Sequence, residues 1–128
     1  ECAGVVIDLI ATLFLESDEK IENAKEAYEN GVYSGAIYYA YQSLVNSAKA
    51  SLLAEDKKTN NQATIISQFD EVFISSEKID LGTSFADLIY QINKFAPTKE
   101  FAEKYIKDAS RFLQKVRAFR EAETTVAQ

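Results

Sequence analysis

The stretch Ser34–Glu55, SGAIYYAYQSLVNSAKASLLAE, limits what this chain can fold into more than any other. Read at helical spacing it carries two adjacent stripes. Small residues stand at Ala36, Ala40, Ser43, Ser47 and Ala50, and larger ones at Ile37, Tyr41, Leu44, Ala48 and Leu52. A helix with two inward stripes has neighbours on two sides. The small stripe lets one neighbour come close, because the side chains at a contact set the helix separation, and the larger stripe fills the remaining core. The pattern predicts the central helix of a bundle.

The flanking segments supply its neighbours. A first helix is expected from about Gly4 to Asn30, ended by Gly31, a residue type that takes the left-handed cap conformation without steric cost. Ser34 is the expected N-cap of the central helix, and so short a turn makes the two helices an antiparallel hairpin. After Glu55 a polar loop, Asp56 to Asn61, leads to a short third helix over Gln62–Ile74, with Ile65, Ile66, Phe69, Val72 and Phe73 on its core face. Ser75–Thr83 reads as an exposed connection. Ser84 followed by Asp87 resembles a capping box and opens a fourth helix, Phe85–Phe95, with Phe85, Leu88, Ile89, Ile92 and Phe95 inward and Pro97 just beyond its end. Thr98 caps a long last helix to about Thr124, whose inward residues are Phe101, Tyr105, Ala109, Phe112, Val116 and Phe119. The expectation is an all-α, up-and-down bundle of about five helices, three long and two short. With 128 residues, 1 Pro and 4 Gly, one helical domain spanning 1–128 is expected.

The first helix changes character halfway. From Val5 to Glu16 its only polar side chains are Asp8, Thr12 and Glu16, on one narrow stripe at i, i+4 spacing. An apolar helix at the end of a small domain needs a cover. Val5, Val6, Leu9, Ile10, Leu13 and Phe14 are therefore the candidate interface, for a second copy or for an upstream domain of a longer parent chain. The run is too short to span a bilayer and has no Lys or Arg face for headgroups, so no membrane partner is expected. From Ser17 onward the helix is ordinarily amphipathic, with Ile21, Ala24, Ala27 and Tyr28 inward.

Two absences restrict the chemistry. The chain has no Met, which makes it read as a piece of a longer protein, and no His, which removes the commonest general base and metal ligand together. The carboxylates Glu19, Glu22, Glu26 and Glu29 then read as a solvated face, and no metal or other cofactor is expected. A single Cys excludes an internal disulfide and fits a reducing, cytoplasmic setting. Cys2 has no visible companion ligands; the alternatives for it are a passive thiol and a cluster ligand of an upstream part.

The run Ala27-Tyr28-Glu29-Asn30-Gly31-Val32-Tyr33-Ser34-Gly35-Ala36-Ile37-Tyr38-Tyr39-Ala40-Tyr41, followed by Ala48-Lys49-Ala50-Ser51-Leu52-Leu53, resembles the signature hairpin of HEPN domains. Ile66-Ser67-Gln68-Phe69, Phe73, Tyr105, Ala109 and Phe112 fall where that family places comparable residues, so the likeness extends from about Ile21 to Phe119. The resemblance implies a bundle that dimerises through its long helices. Many members are metal-independent ribonucleases that use an Arg followed four to six residues later by a His. Here Arg111, Arg117 and Arg120 have no such partner, which points instead to the non-catalytic members that bind nucleotides, RNA or proteins. Some of those resemble C-terminal extensions of larger enzymes, including sulfite/nitrite reductase-like chains. The expected function is a non-catalytic interaction module that homodimerises or docks on its parent, with nucleotide or RNA binding as the alternative.

Two sets of side chains would serve the alternative. Tyr38, Gln42, Asn46 and Lys49 lie on the outer side of the central helix, where Tyr offers a stacking face and Lys a charge. Lys104, Lys107, Arg111 and Lys115 form a basic stripe on the last helix that could meet phosphate. A formal net charge of −6 opposes nucleic acid at long range, so RNA is not the favoured partner.

Overall fold

The computed structural model describes residues 3–127 and contains five α-helices: α1 (Ala3–Glu29), α2 (Tyr33–Ala54), α3 (Gln62–Phe69), α4 (Phe85–Ile89) and α5 (Lys99–Ala127). A π-helical turn, Asp70–Ile74, continues α3, and a 3-10 turn, Tyr90–Asn93, continues α4. The all-α bundle with three long and two short helices is as expected.

Gly31 does what its position demands. Its φ of 77° lets the chain reverse at once, and the Val32 amide donates to the Ala27 carbonyl at 2.8 Å. The reversal is so tight that the N-cap of α2 falls two residues earlier than expected. Val32 occupies the N-cap without a side-chain bond, and Ser34 lies exposed inside the first turn rather than capping it. The other caps form: Asn61 accepts from the Thr64 amide, Ser84 from Asp87, and Thr98 from Phe101.

The two stripes of α2 are buried as expected. Ala36, Ala40, Ser43, Ser47 and Ala50 are sealed from solvent, as are Ile37, Leu44, Ala48 and Leu52; Tyr41 is half-buried, its hydroxyl donating to Gln62 Oε1 at 2.6 Å. On the small side α1 comes close enough for Ser43 Oγ to donate to the Ser17 carbonyl at 3.0 Å. The buried serines of α2 also donate along their own helix, Ser47 to Ser43 and Ser51 to Ser47, so the stripe carries no unsatisfied hydroxyl.

On the other side stands an aromatic cluster. Phe69 meets Phe73, Phe85 and Phe112 with ring centroids 4.8, 4.8 and 5.1 Å apart, and Phe85 stacks on Phe112 at 4.7 Å. Each ring removed from water contributes about 1.5–3 kcal/mol, which explains why two helices as short as α3 and α4 persist. The Asp70 carboxylate adds a tie, accepting from the amides of Phe85 at 2.6 Å and Ala86 at 3.1 Å across the α3–α4 connection.

The loop after α2 runs back along that helix, so Gln62 returns to the level of Tyr41 while Lys78 reaches Glu55 at 3.8 Å. Phe95, expected inward, is 54% exposed. The tightening of α4 into a 3-10 turn changes the angular position of the residues that follow, and Phe95 rests on the surface against Phe101, 5.3 Å between rings.

Candidate functional site

The N-terminal half of α1 is only partly used by the fold. Ile10 and Phe14 are buried and belong to the chain's own core, and Val6 and Leu13 are half-buried against it. That corrects the expected interface, which included all four. The remaining two, Val5 and Leu9, are 53% and 50% exposed, and Ile7 and Leu15, not among the expected residues, are more exposed still at 56% and 59%. An apolar run shows no direction until its neighbours are placed. Here α2 and α5 take the side of Ile10, Phe14, Ser17 and Ile21, leaving apolar rows on both flanks.

The flank toward α5 has further structure. Arg117 donates from both terminal nitrogens to the two carboxylate oxygens of Asp18, each at 2.7 Å, and lies over the Phe14 ring at 5.3 Å. At the opposite end the Tyr28 hydroxyl donates to Glu103 at 2.8 Å. That bond holds the Tyr28 proton on, raising its pKa, and with Lys107 nearby lowers the pKa of Glu103. Between the two ties α1 and α5 diverge into a groove. One part, about 340 Å³, has Ile21 and Leu113 on its walls; the next, about 310 Å³, is walled by Tyr28 and Ile106 between Lys25 and Lys107.

The four residues on the outer side of α2 remain together. Tyr38 is 58% exposed and its hydroxyl accepts from Gln42 Nε2 at 3.1 Å, while Gln42 Oε1 is buried without a partner. Asn46 and Lys49 follow half-buried on the same side. The basic stripe of α5 is less available than its composition indicates. Lys104 bridges Asp108 at 2.8 Å and Gln91 at 2.7 Å, Lys107 lies 3.4 Å from Glu103, and Lys115 donates to the Asp80 carbonyl at 2.5 Å. Arg111 is exposed beside the hollow formed with Leu81 and Leu88.

Among the described residues no cluster of three or more His, Cys, Asp or Glu is placed to hold a metal ion, and no helix is long and apolar enough to cross a membrane. Cys2 lies outside the described residues.

The HEPN domain family model matches residues 10–121. The chain belongs to the HEPN domain family. The match spans all five helices and includes the α1–α2 hairpin and the aromatic cluster. The chain is also 28% identical over 115 residues to a Methanocaldococcus jannaschii protein named "Putative toxin MJ0605", an alignment that covers 84% of this chain and 86% of that protein. The sequence contains no His.

Proposed function

We propose that this HEPN domain is a non-catalytic association module that acts through the N-terminal half of α1, by pairing with a second copy or docking on a partner or parent chain. The observation that carries the reading is the exposure of Val5, Ile7, Leu9 and Leu15 on a helix whose Ile10, Phe14, Ile21 and Ala24 already serve the core. Soluble folded domains seldom leave contiguous apolar rows to water unless something binds there. The lack of His supports the non-catalytic half: without an imidazole the chain has no side chain that titrates unperturbed near neutrality to move the proton of a ribose hydroxyl. If the toxin role in the relative's name extends to this chain, it is exerted by binding.

Light scattering of the wild-type chain and of Leu9→Glu and Leu15→Glu variants tests the association. At least one should dissociate the assembly while leaving helical content unchanged. Unaltered association in both, or a wild-type chain that neither self-associates nor captures a partner, counts against the reading.

Nucleotide or RNA binding is the second reading, favoured by the exposed Tyr38 ring beside the unpartnered Gln42 Oε1 and Lys49. Calorimetry with a nucleotide panel and a short single-stranded RNA decides it; no heat with any of them rejects it.

A further inference from the structure

The acidity of this chain is concentrated on one helix. Between Ala3 and Glu29, α1 carries seven Asp and Glu against two Lys, a net −5 of the chain's −6. Two of those carboxylates are balanced at home, Asp18 by Arg117 and Glu22 by Lys25 at 3.5 Å. Asp8, Glu16, Glu19, Glu26 and Glu29 form no salt bridge among the described residues. At about 100° per residue the acids and the exposed apolar row share a face: Ile7, Ala11 and Leu15 run into Glu19, Glu22, Glu26 and Glu29 within about a third of the helix circumference. That face is apolar in its first half and acidic in its second.

The groove between α1 and α5 runs along the edge of this face. Its two hollows, about 340 and 310 Å³, adjoin at Lys25, and their apolar walls are Ile21 with Leu113 and Tyr28 with Ile106. Carboxylates of α1, Glu22 and Glu29, stand on one rim; the α5 rim offers uncharged Ser110 and Gln114 and the Lys107–Glu103 pair. Past the Arg117–Asp18 pair, Leu15, Ala11 and Ile7 extend the line toward the start of α1. From Tyr28 to Ile7 the line is about 32 Å long, the length of a helix of about 20 residues.

A second copy of the chain suits this surface poorly. Two α1 faces laid together would oppose −5 to −5, and like charges brought together across an interface cost free energy. The exposed large apolar residues outside α1 are Val32, Tyr38, Tyr90 and Phe95, which form no row on one helix, and Lys104, Lys107 and Lys115 of α5 are already engaged. Nucleic acid and anionic lipid are repelled by the same carboxylates.

We propose that the α1–α5 groove and the Ile7–Ala11–Leu15 row receive an amphipathic helix of a different protein, with apolar side chains along one stripe and Lys or Arg beside it. This rests on the association reading above and selects the partner within it. Apolar anchors at i, i+3 or i+4, and i+7 fill the two hollows and cover Leu15 and Ile7. The cations meet Glu19, Glu26 and Glu29 and steer the approach.

The test uses three fluorescein-labelled synthetic peptides of about 20 residues. One has Leu at helical spacing and Lys elsewhere, one has Glu in place of Lys, and one has the Leu/Lys composition scrambled so that no stripe forms. By fluorescence polarisation the Leu/Lys helix should bind and the other two should not. Its affinity should fall roughly tenfold in Leu15→Asn and roughly tenfold in the combined Glu19→Gln, Glu26→Gln and Glu29→Gln variant, which should also flatten the salt dependence. The substituted residues are all exposed, so circular dichroism should show the fold unchanged. Glu71→Gln with Glu77→Gln, exposed carboxylates elsewhere on the chain, should bind as wild type does. Binding of the Glu-bearing or scrambled peptide as tightly as the Leu/Lys helix, or binding that either α1 variant leaves unchanged, overturns the inference. A chain that self-associates in sedimentation velocity but binds no peptide overturns it too and leaves the association reading standing; one that does neither overturns both.

Discussion

Arg117 and Asp18, 99 positions apart in sequence, meet as a two-pronged ion pair with both N–O distances at 2.7 Å, and the same guanidinium lies over the Phe14 ring and donates to the Phe14 carbonyl at 3.2 Å. One side chain thus joins the last helix to the first at three points. Both partners are more than a third exposed, so solvent screens the charge and most of the benefit is packing and geometry.

Replacing Arg117 by Ala should therefore cost about 1 kcal/mol, seen as a lower thermal midpoint by circular dichroism. Arg117→Lys should fall nearer to the Ala variant than to wild type, since an ammonium cannot form the two parallel bonds.

Phe14→Glu and Leu15→Glu are adjacent in sequence and should behave as opposites. Phe14 is buried, and a carboxylate there has no partner; a loss of roughly 3–5 kcal/mol is expected, with insoluble or partly unfolded chain. Leu15→Glu should fold with an unchanged melting curve once the wild type is compared at the same association state.

Tyr105 is fully buried and donates to the Ile89 carbonyl at 2.8 Å; burial first, and the nearby Tyr41 and Asp108 second, push its pKa well above the ordinary tyrosine value. Because the folded pKa is the higher one, its contribution is fully present below about pH 10 and is lost as pH rises beyond, where only the unfolded chain ionises readily. Denaturant melts between neutral and strongly alkaline pH should show a fall in stability that Tyr105→Phe makes shallower. At pH 7 that variant should be about 1 kcal/mol less stable, from the lost hydrogen bond.

Asp70→Ala removes the acceptor for two amides at the start of α4 and should cost about 1–2 kcal/mol. Hydrogen exchange should localise the change to Phe85 and Ala86, with Asp87 still protected by Ser84.

Ser43→Leu should cost about 1–3 kcal/mol, because the position is sealed against α1 and a larger side chain must push the hairpin apart; Ser43→Ala should cost less. Chemical denaturation of the two variants gives the comparison.

Much of the architecture was legible because it is written in local spacing. The stripes of α2, the inward row Phe101–Tyr105–Ala109–Phe112–Val116, and the caps at Asn61, Ser84 and Thr98 each depend on residues within a turn or two of one another. What was not legible depends on partners far along the chain. Nothing near Phe14 tells whether it faces α5 or water, so the expected interface mixed buried Ile10 and Phe14 with exposed Val5 and Leu9 and omitted Ile7 and Leu15. Lys104 has Asp108 one turn away in the sequence, but its bond to Gln91 shows only once the turn after α4 is placed beside α5. Ser34 was displaced from its cap by the tightness of the Gly31 turn, a matter of backbone path rather than residue preference.

The distance in sequence between Asp18 and Arg117 also has a temporal side. A ribosome adding about 5–20 residues per second needs roughly 5–20 s to go from one to the other. For that interval the α1–α2 hairpin is made but Phe14 lacks the guanidinium that covers it, and the nascent chain shows more greasy surface than the finished one. Until α5 has been made, Phe14 and the apolar rows beside it on α1 all stand in water together.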